Sequence, residues 1–160
     1  MRITFMLAML VYAAAMTAAN LSIAKFGVWV SPINAFFLIG LDLALRDWLH
    51  FRLKIWQMGA LIAFTGLMTF ALNPAAGMIA VASACAFTAA ALVDWLTFAK
   101  LRGSWMLRAN GSNVAGAAVD SIIFPTLAFG ALMPQIVLMQ FAAKVGGGYV
   151  WSLLLRVKKE

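Results

Sequence analysis

AAGMIAVASACAFTAAALVDWLTF, residues 75–98, is a run of 24 positions with a single charged group, Asp94. A helix rises about 1.5 Å per residue, so about 20 apolar residues cross the roughly 30 Å hydrocarbon core of a bilayer. Polar–apolar alternation, the mark of a barrel strand, is absent. In lipid every backbone amide must find its partner inside the protein, which leaves a helix as the reading of this stretch.

Five more runs of the same kind flank it: Ile3–Ala24, Val28–Arg46, Ile55–Leu72, Asn113–Leu132 and Pro134–Leu155, with the central one at Ala75–Phe98. The breaks between them carry helix-stopping residues: Phe26-Gly27, Asn73-Pro74, Gly103-Ser104, Asn110-Gly111-Ser112 and the segment from Gly130 to Pro134. The expected fold is all-α, a polytopic membrane bundle of about six transmembrane helices forming one domain over residues 1–160. Composition agrees: 65% of the 160 residues are hydrophobic, 11% are charged, and mean hydropathy is +0.97. Soluble domains run at about 45–50% apolar and about 25% charged. Six spans of about 20 residues leave about 40 for connections and tails, too few for an appended soluble catalytic domain. The first run lacks a cleavage region before Asn20 and reads as a retained span, not a signal peptide.

Twelve Lys and Arg against five Asp and Glu give a net charge of +7. Arg2, Arg46, Arg52, Lys54, Lys100, Arg102, Arg108, Arg156, Lys158 and Lys159 all fall on one side of the expected topology. The other side has Lys25, and Lys144 lies within the sixth run. Excess basic residues mark cytoplasmic loops, so both termini are expected in the cytoplasm. The same distribution argues against nucleic acid as a partner and leaves membrane lipid as the surroundings. Cys85 is the one cysteine and His50 the one histidine, so neither a disulfide nor a zinc site can form within the chain. No HExxH, GxSxG or phosphate-binding loop occurs, and no enzyme activity, metal or cofactor is expected. Homo-oligomerisation stays open.

An ionisable group deep in a bilayer is costly unless it faces protein or water. Asp42 and Arg46 stand four residues apart on the second run, on one helix face. Asn113, Gly116 and Asp120 recur along the fifth; Gln140, Lys144 and Gly147-Gly148 recur along the sixth; Asn20 closes the first; Asp94 and Trp95 lie late in the fourth. A polar cavity between these faces would let Asp120 or Asp94 meet Lys144, and Asp42 meet Arg46. Asp42–Arg46 reads equally as a structural anchor, since an interfacial Arg can snorkel. Asn113 reads equally as a helix N-cap after Gly111-Ser112. The triple glycine 146–148 suits close helix contact, local unwinding, or approach of a flat ligand. Trp29, Trp48, Trp56, Trp105 and Trp151 read as interface anchors.

Several ordered pieces resemble one family: TAANLSIAKFG (17–27), SPINAFFLIGLDLALRD (31–47) with its D-x-x-x-R pair, LVDWLTFAKLRGSWMLRANGSNVAGAAVDSIIFPTLAF (92–129), and Gln140-x-x-x-Lys144. The chain resembles the queuosine-precursor transporters, also called the vitamin-uptake-transporter (VUT) family. The resemblance implies import of a 7-deazaguanine such as 7-cyano-7-deazaguanine for tRNA modification. Such a ring offers adjacent N–H donors that a carboxylate accepts at two points, with Asp120 or Asp94 as candidates. Asn20, Asn113 and Gln140 can both donate and accept. Lys144 could donate to the ring carbonyl, and Phe124, Phe129 or Trp95 could stack on the ring. Asp42 and Arg46 complete the candidate substrate-binding set. Rival readings are a substrate-capture subunit of a multi-component transporter and a structural membrane assembly protein.

Overall fold

The computed structural model describes residues 2–50, 52–103 and 105–154. The side chains of Arg2, Arg46, Asp47, Trp48, His50, Trp95 and Trp105, and the tail with Arg156, Lys158 and Lys159, lie outside the described residues.

The described chain is helical and contains no strand. Its α-helices are α1 (Arg2–Phe26), α2 (Ser31–Asn34), α3 (Gly40–His50), α4 (Ile55–Leu72), α5 (Gly77–Lys100), α6 (Trp105–Phe129) and α7 (Pro134–Leu154). A 3-10 turn at Val28–Val30 leads into α2, and a π-helical segment at Ala35–Ile39 joins α2 to α3. These pieces form one continuous second span, so the described residues make six long helical segments. The turns at Gly27 and Gly130 take φ values of +80° and +71°, the left-handed region that glycine enters without strain.

Four stretches are long and apolar enough to cross a bilayer: Phe5–Phe26, Val28–Leu45, Pro74–Lys100 and Asn110–Phe129. The apolar part of α4, Trp56–Leu72, is slightly shorter. Helix α7 is long enough, but Gln140, Lys144 and Gly146–Gly148 dilute its apolar character.

The distribution of side chains is inverted relative to a water-soluble protein. Leu7, Leu10, Trp29, Trp56, Leu67 and Leu138 are each more than half exposed. Asn20, Ser31, Asn34, Asp42, Thr69, Ser121, Gln140 and Lys144 are buried. Exposed leucines on α1, α4, α5, α6 and α7 would be a liability in water and are the natural coat in lipid. The protein is a multi-pass membrane protein.

Small residues let the helices approach. Ala82, Ala86 and Ala90 of α5 are buried, and α5 packs antiparallel along α6. A Cβ built on Gly116 would meet the Ala90 carbonyl at 3.2 Å. Gly111 approaches Leu101 so closely that a Cβ there would lie 2.7 Å from its Cδ1. Arg108 caps α5: its Nε and Nη2 donate to the Phe98 carbonyl at 3.1 and 2.9 Å, and its guanidinium stacks 4.1 Å from the Phe98 ring centre.

Two expectations are corrected at this point. Asn110-Gly111-Ser112 is no break, because α6 begins at Trp105 and runs through it. Asn113 is consequently an interior helical residue and not an N-cap. Helical glycine costs about 1 kcal/mol relative to alanine, and the close contact of Gly111 with Leu101, just past the end of α5, offsets that cost.

The second span runs parallel to α7, and the two meet backbone to backbone. A Cβ on Gly147 would collide with the Phe36 carbonyl oxygen, and one on Gly40 would lie 2.7 Å from the Gly147 carbonyl carbon. Helix α7 stays helical through all three glycines. Close contact is therefore the role of Gly147 in this structure, and no unwinding occurs. Pro125 lies within α6. It has no N–H, so the carbonyl of Ser121 lacks its donor in the helical ladder.

Candidate functional site

Lys144, in the middle of α7, is 2% exposed. Its ammonium lies 2.6 Å from Asp120 Oδ2 on α6 and donates to Ser121 Oγ at 3.2 Å and Gln140 Oε1 at 2.9 Å. An ammonium has three protons, and three acceptors surround it. Gln140 and Lys144 are four residues apart on one helix, so their side chains stack along the same face. Gln140 passes the network on by donating through Nε2 to Ser31 Oγ at 2.9 Å, at the start of the second span. Thus polar groups join the middles of α6 and α7 to the start of the second span.

A second network joins α1, α4, α5 and α2. Asn20 donates to Thr69 Oγ1 at 3.4 Å and accepts from Ser83 Oγ at 2.7 Å. Asn34 donates to the Ala19 carbonyl at 3.2 Å and to Ser22 Oγ at 2.6 Å.

Both networks border one cavity of about 30 Å³. Asn20, Ser31, Asn34, Ser83, Asp120, Gln140 and Lys144 supply its polar wall, and Met16, Ile23, Ile39, Phe87 and Phe124 its apolar wall. Phe124 is held edge-on by Phe129, with ring centres 6.3 Å apart. The volume holds about one water molecule. The arrangement is closed around its polar groups.

A larger cavity, about 330 Å³, opens on the opposite flank of Lys144. Leu43, Ala44, Asn110, Asn113, Val114, Ala117, Val145, Gly146, Gly148 and Tyr149 line it together with Lys144. It lies toward the bundle end that bears the α3–α4 and α5–α6 connections.

Of the candidates from sequence, Asn20, Asp120, Phe124, Gln140 and Lys144 come together at the small cavity, and Asn113 joins Lys144 at the large one. The expected pairing of Lys144 falls to Asp120. Asp94 instead packs against Gly116, and its Oδ1 is buried with no hydrogen-bond partner among the described residues. Asp42 is fully buried and lines neither cavity. The side chains of Arg46 and Trp95 lie outside the described residues. Gly116 packs against Ala90 and Asp94 of α5 and lines neither cavity. Sequence reasoning passed over Ser31, Asn34, Ser83 and Ser121. Their signal is faint: single hydroxyls or an amide beside Pro32, within the alanine-rich stretch, or next to Asp120.

A family model described as "Putative vitamin uptake transporter" matches residues 2–155. The chain belongs to the VUT family. No curated protein and no solved structure matches it. Nearly the whole chain lies within the VUT match, so both networks and both cavities are part of the family domain. As a VUT protein it is a vitamin-type uptake transporter of the membrane.

Proposed function

We infer that this VUT protein imports a 7-deazaguanine precursor of queuosine, such as 7-cyano-7-deazaguanine, across a bacterial inner membrane for use in tRNA modification. In this reading its termini face the cytoplasm, which the ten basic residues on that side support. The observation that carries the reading is the chain Asp120–Lys144–Gln140–Ser31 on the wall of a buried cavity. Asp120 supplies a carboxylate for the adjacent N–H and amino donors of a deazaguanine, Gln140 and Asn20 supply amides for the opposite edge, and Phe124 supplies a ring face.

Transport in this reading needs no covalent step. The cavity widens to admit the ring, the Lys144 bonds exchange for bonds to substrate, and closure on one side accompanies opening on the other. The test is uptake and restored tRNA queuosine in cells unable to synthesise the precursor. Rescue by the intact protein is the expected result. No rescue despite good membrane expression sinks the reading.

A further inference from the structure

We propose that the 330 Å³ cavity beside Lys144 is a second substrate subsite, the one occupied on the cytoplasmic side of the path. The proposal rests on the importer reading above and adds a location to it.

The argument begins with α6. Asn110, Asn113, Ala117, Asp120 and Phe124 recur at intervals of three and four residues, which places them in one row along the helix. The first three line the large cavity and the last two line the small one. The facing helix shows the same division. Gln140 borders the small cavity, Gly148 the large one, and Lys144 both. The two cavities therefore share one seam between α6 and α7, with the Asp120–Lys144 ion pair at its junction.

Size separates the roles of the two. In this structure the small cavity is too tight for a heterocycle, while the large one falls in the range of small-molecule sites, roughly 300–1,000 Å³. The chemistry also matches. Asn110 and Asn113 offer amide groups to the hydrogen-bonding edge of a flat heterocycle, Tyr149 adds a phenol, and Gly146 and Gly148 present α7 without bulk. The ligand class is a small planar amide-bearing ring, and Lys144 can pass it from one subsite to the next without itself leaving the seam.

Cys85 is the one cysteine of the sequence, so site-specific thiol labelling needs one background change. In Cys85→Ser, Val114→Cys and Ala117→Cys are each labelled with a charged thiol reagent in inside-out and right-side-out vesicles, with and without 7-cyano-7-deazaguanine. The expected result is labelling from the cytoplasmic face, slowed about tenfold by probe at ten times its Kd. Labelling that the probe leaves unchanged, in a variant that still imports it, overturns the subsite and spares the importer reading. No labelling from either face overturns it as well, since the cleft then holds lipid chains and not water. Absence of uptake by the Cys85→Ser parent, with the unmodified protein equally inactive, overturns both. If one cysteine variant fails to reach the membrane, the other carries the test.

Discussion

Lys144 and Asp120 meet at 2.6 Å between α7 and α6, with the lysine side chain 3% and the aspartate side chain 17% exposed. The pair sits where the two cavities join, so its energetics and its role in transport can be separated by substitution.

Replacing one partner strands the other. Lys144→Met leaves Asp120 without its cation and Gln140 Oε1 without its donor, a loss of about 3–5 kcal/mol for a buried pair. Unfolding in detergent is expected to shift accordingly. The double variant Lys144→Met with Asp120→Asn should regain at least half of that stability while uptake stays lost. Unchanged stability in the single variant would show that the pair contributes nothing to folding.

The glycines of α7 differ sharply from one another. Gly147→Ala and Gly40→Ala each drive a methyl into backbone, and overpacking of this kind costs about 1–3 kcal/mol. Gly146 has its nearest neighbour at 3.8 Å, the Phe36 ring. Gly146→Ala is therefore expected to be neutral or to stabilise the helix by up to about 1 kcal/mol. Thermal unfolding of the three variants in one detergent gives the ranking.

Gln140 bridges Ser31 and Lys144. Gln140→Ala should raise the KM for uptake about tenfold or more, since a hydrogen bond to a charged group contributes about 1.5–3 kcal/mol. Initial rates over a range of substrate concentrations separate this from a loss of folded transporter, which would lower the maximal rate alone.

Arg108 acts at a helix end, not in either cavity. Arg108→Ala removes two hydrogen bonds to one carbonyl and a ring contact, with an expected cost of about 1–2 kcal/mol. Lysine cannot reproduce the fork or the stack, so Arg108→Lys should recover little. Transport per folded molecule should stay near that of the parent in both.

The spans were legible because lipid imposes one strong demand, a long apolar helix, and 65% hydrophobic residues meet it. The start of α6 was not legible, because Asn110-Gly111-Ser112 has the composition of a turn. What keeps it helical is contact with α5, a tertiary fact absent from local sequence. The site followed the same division. Asp120, Gln140 and Lys144 stand out because each is polar within an apolar run. The acid that Lys144 chooses depends on helix packing: Asp94 of α5 lies against Gly116, while Asp120 meets Lys144 across the α6–α7 contact. Lone hydroxyls such as Ser31 and Ser121 carry no periodic signal, and only the hydrogen-bond geometry brings them out.

Pro125 has a mechanical consequence. Its missing amide opens the α6 ladder at Ser121, the residue whose hydroxyl holds Lys144. Compliance is thereby concentrated at the depth of the ion pair. The end of α6 beyond Pro125, with Phe129, can tilt about that point without breaking a backbone hydrogen bond at Ser121. The softest place in the helix is thus also the place where its polar grip on α7 is made and released.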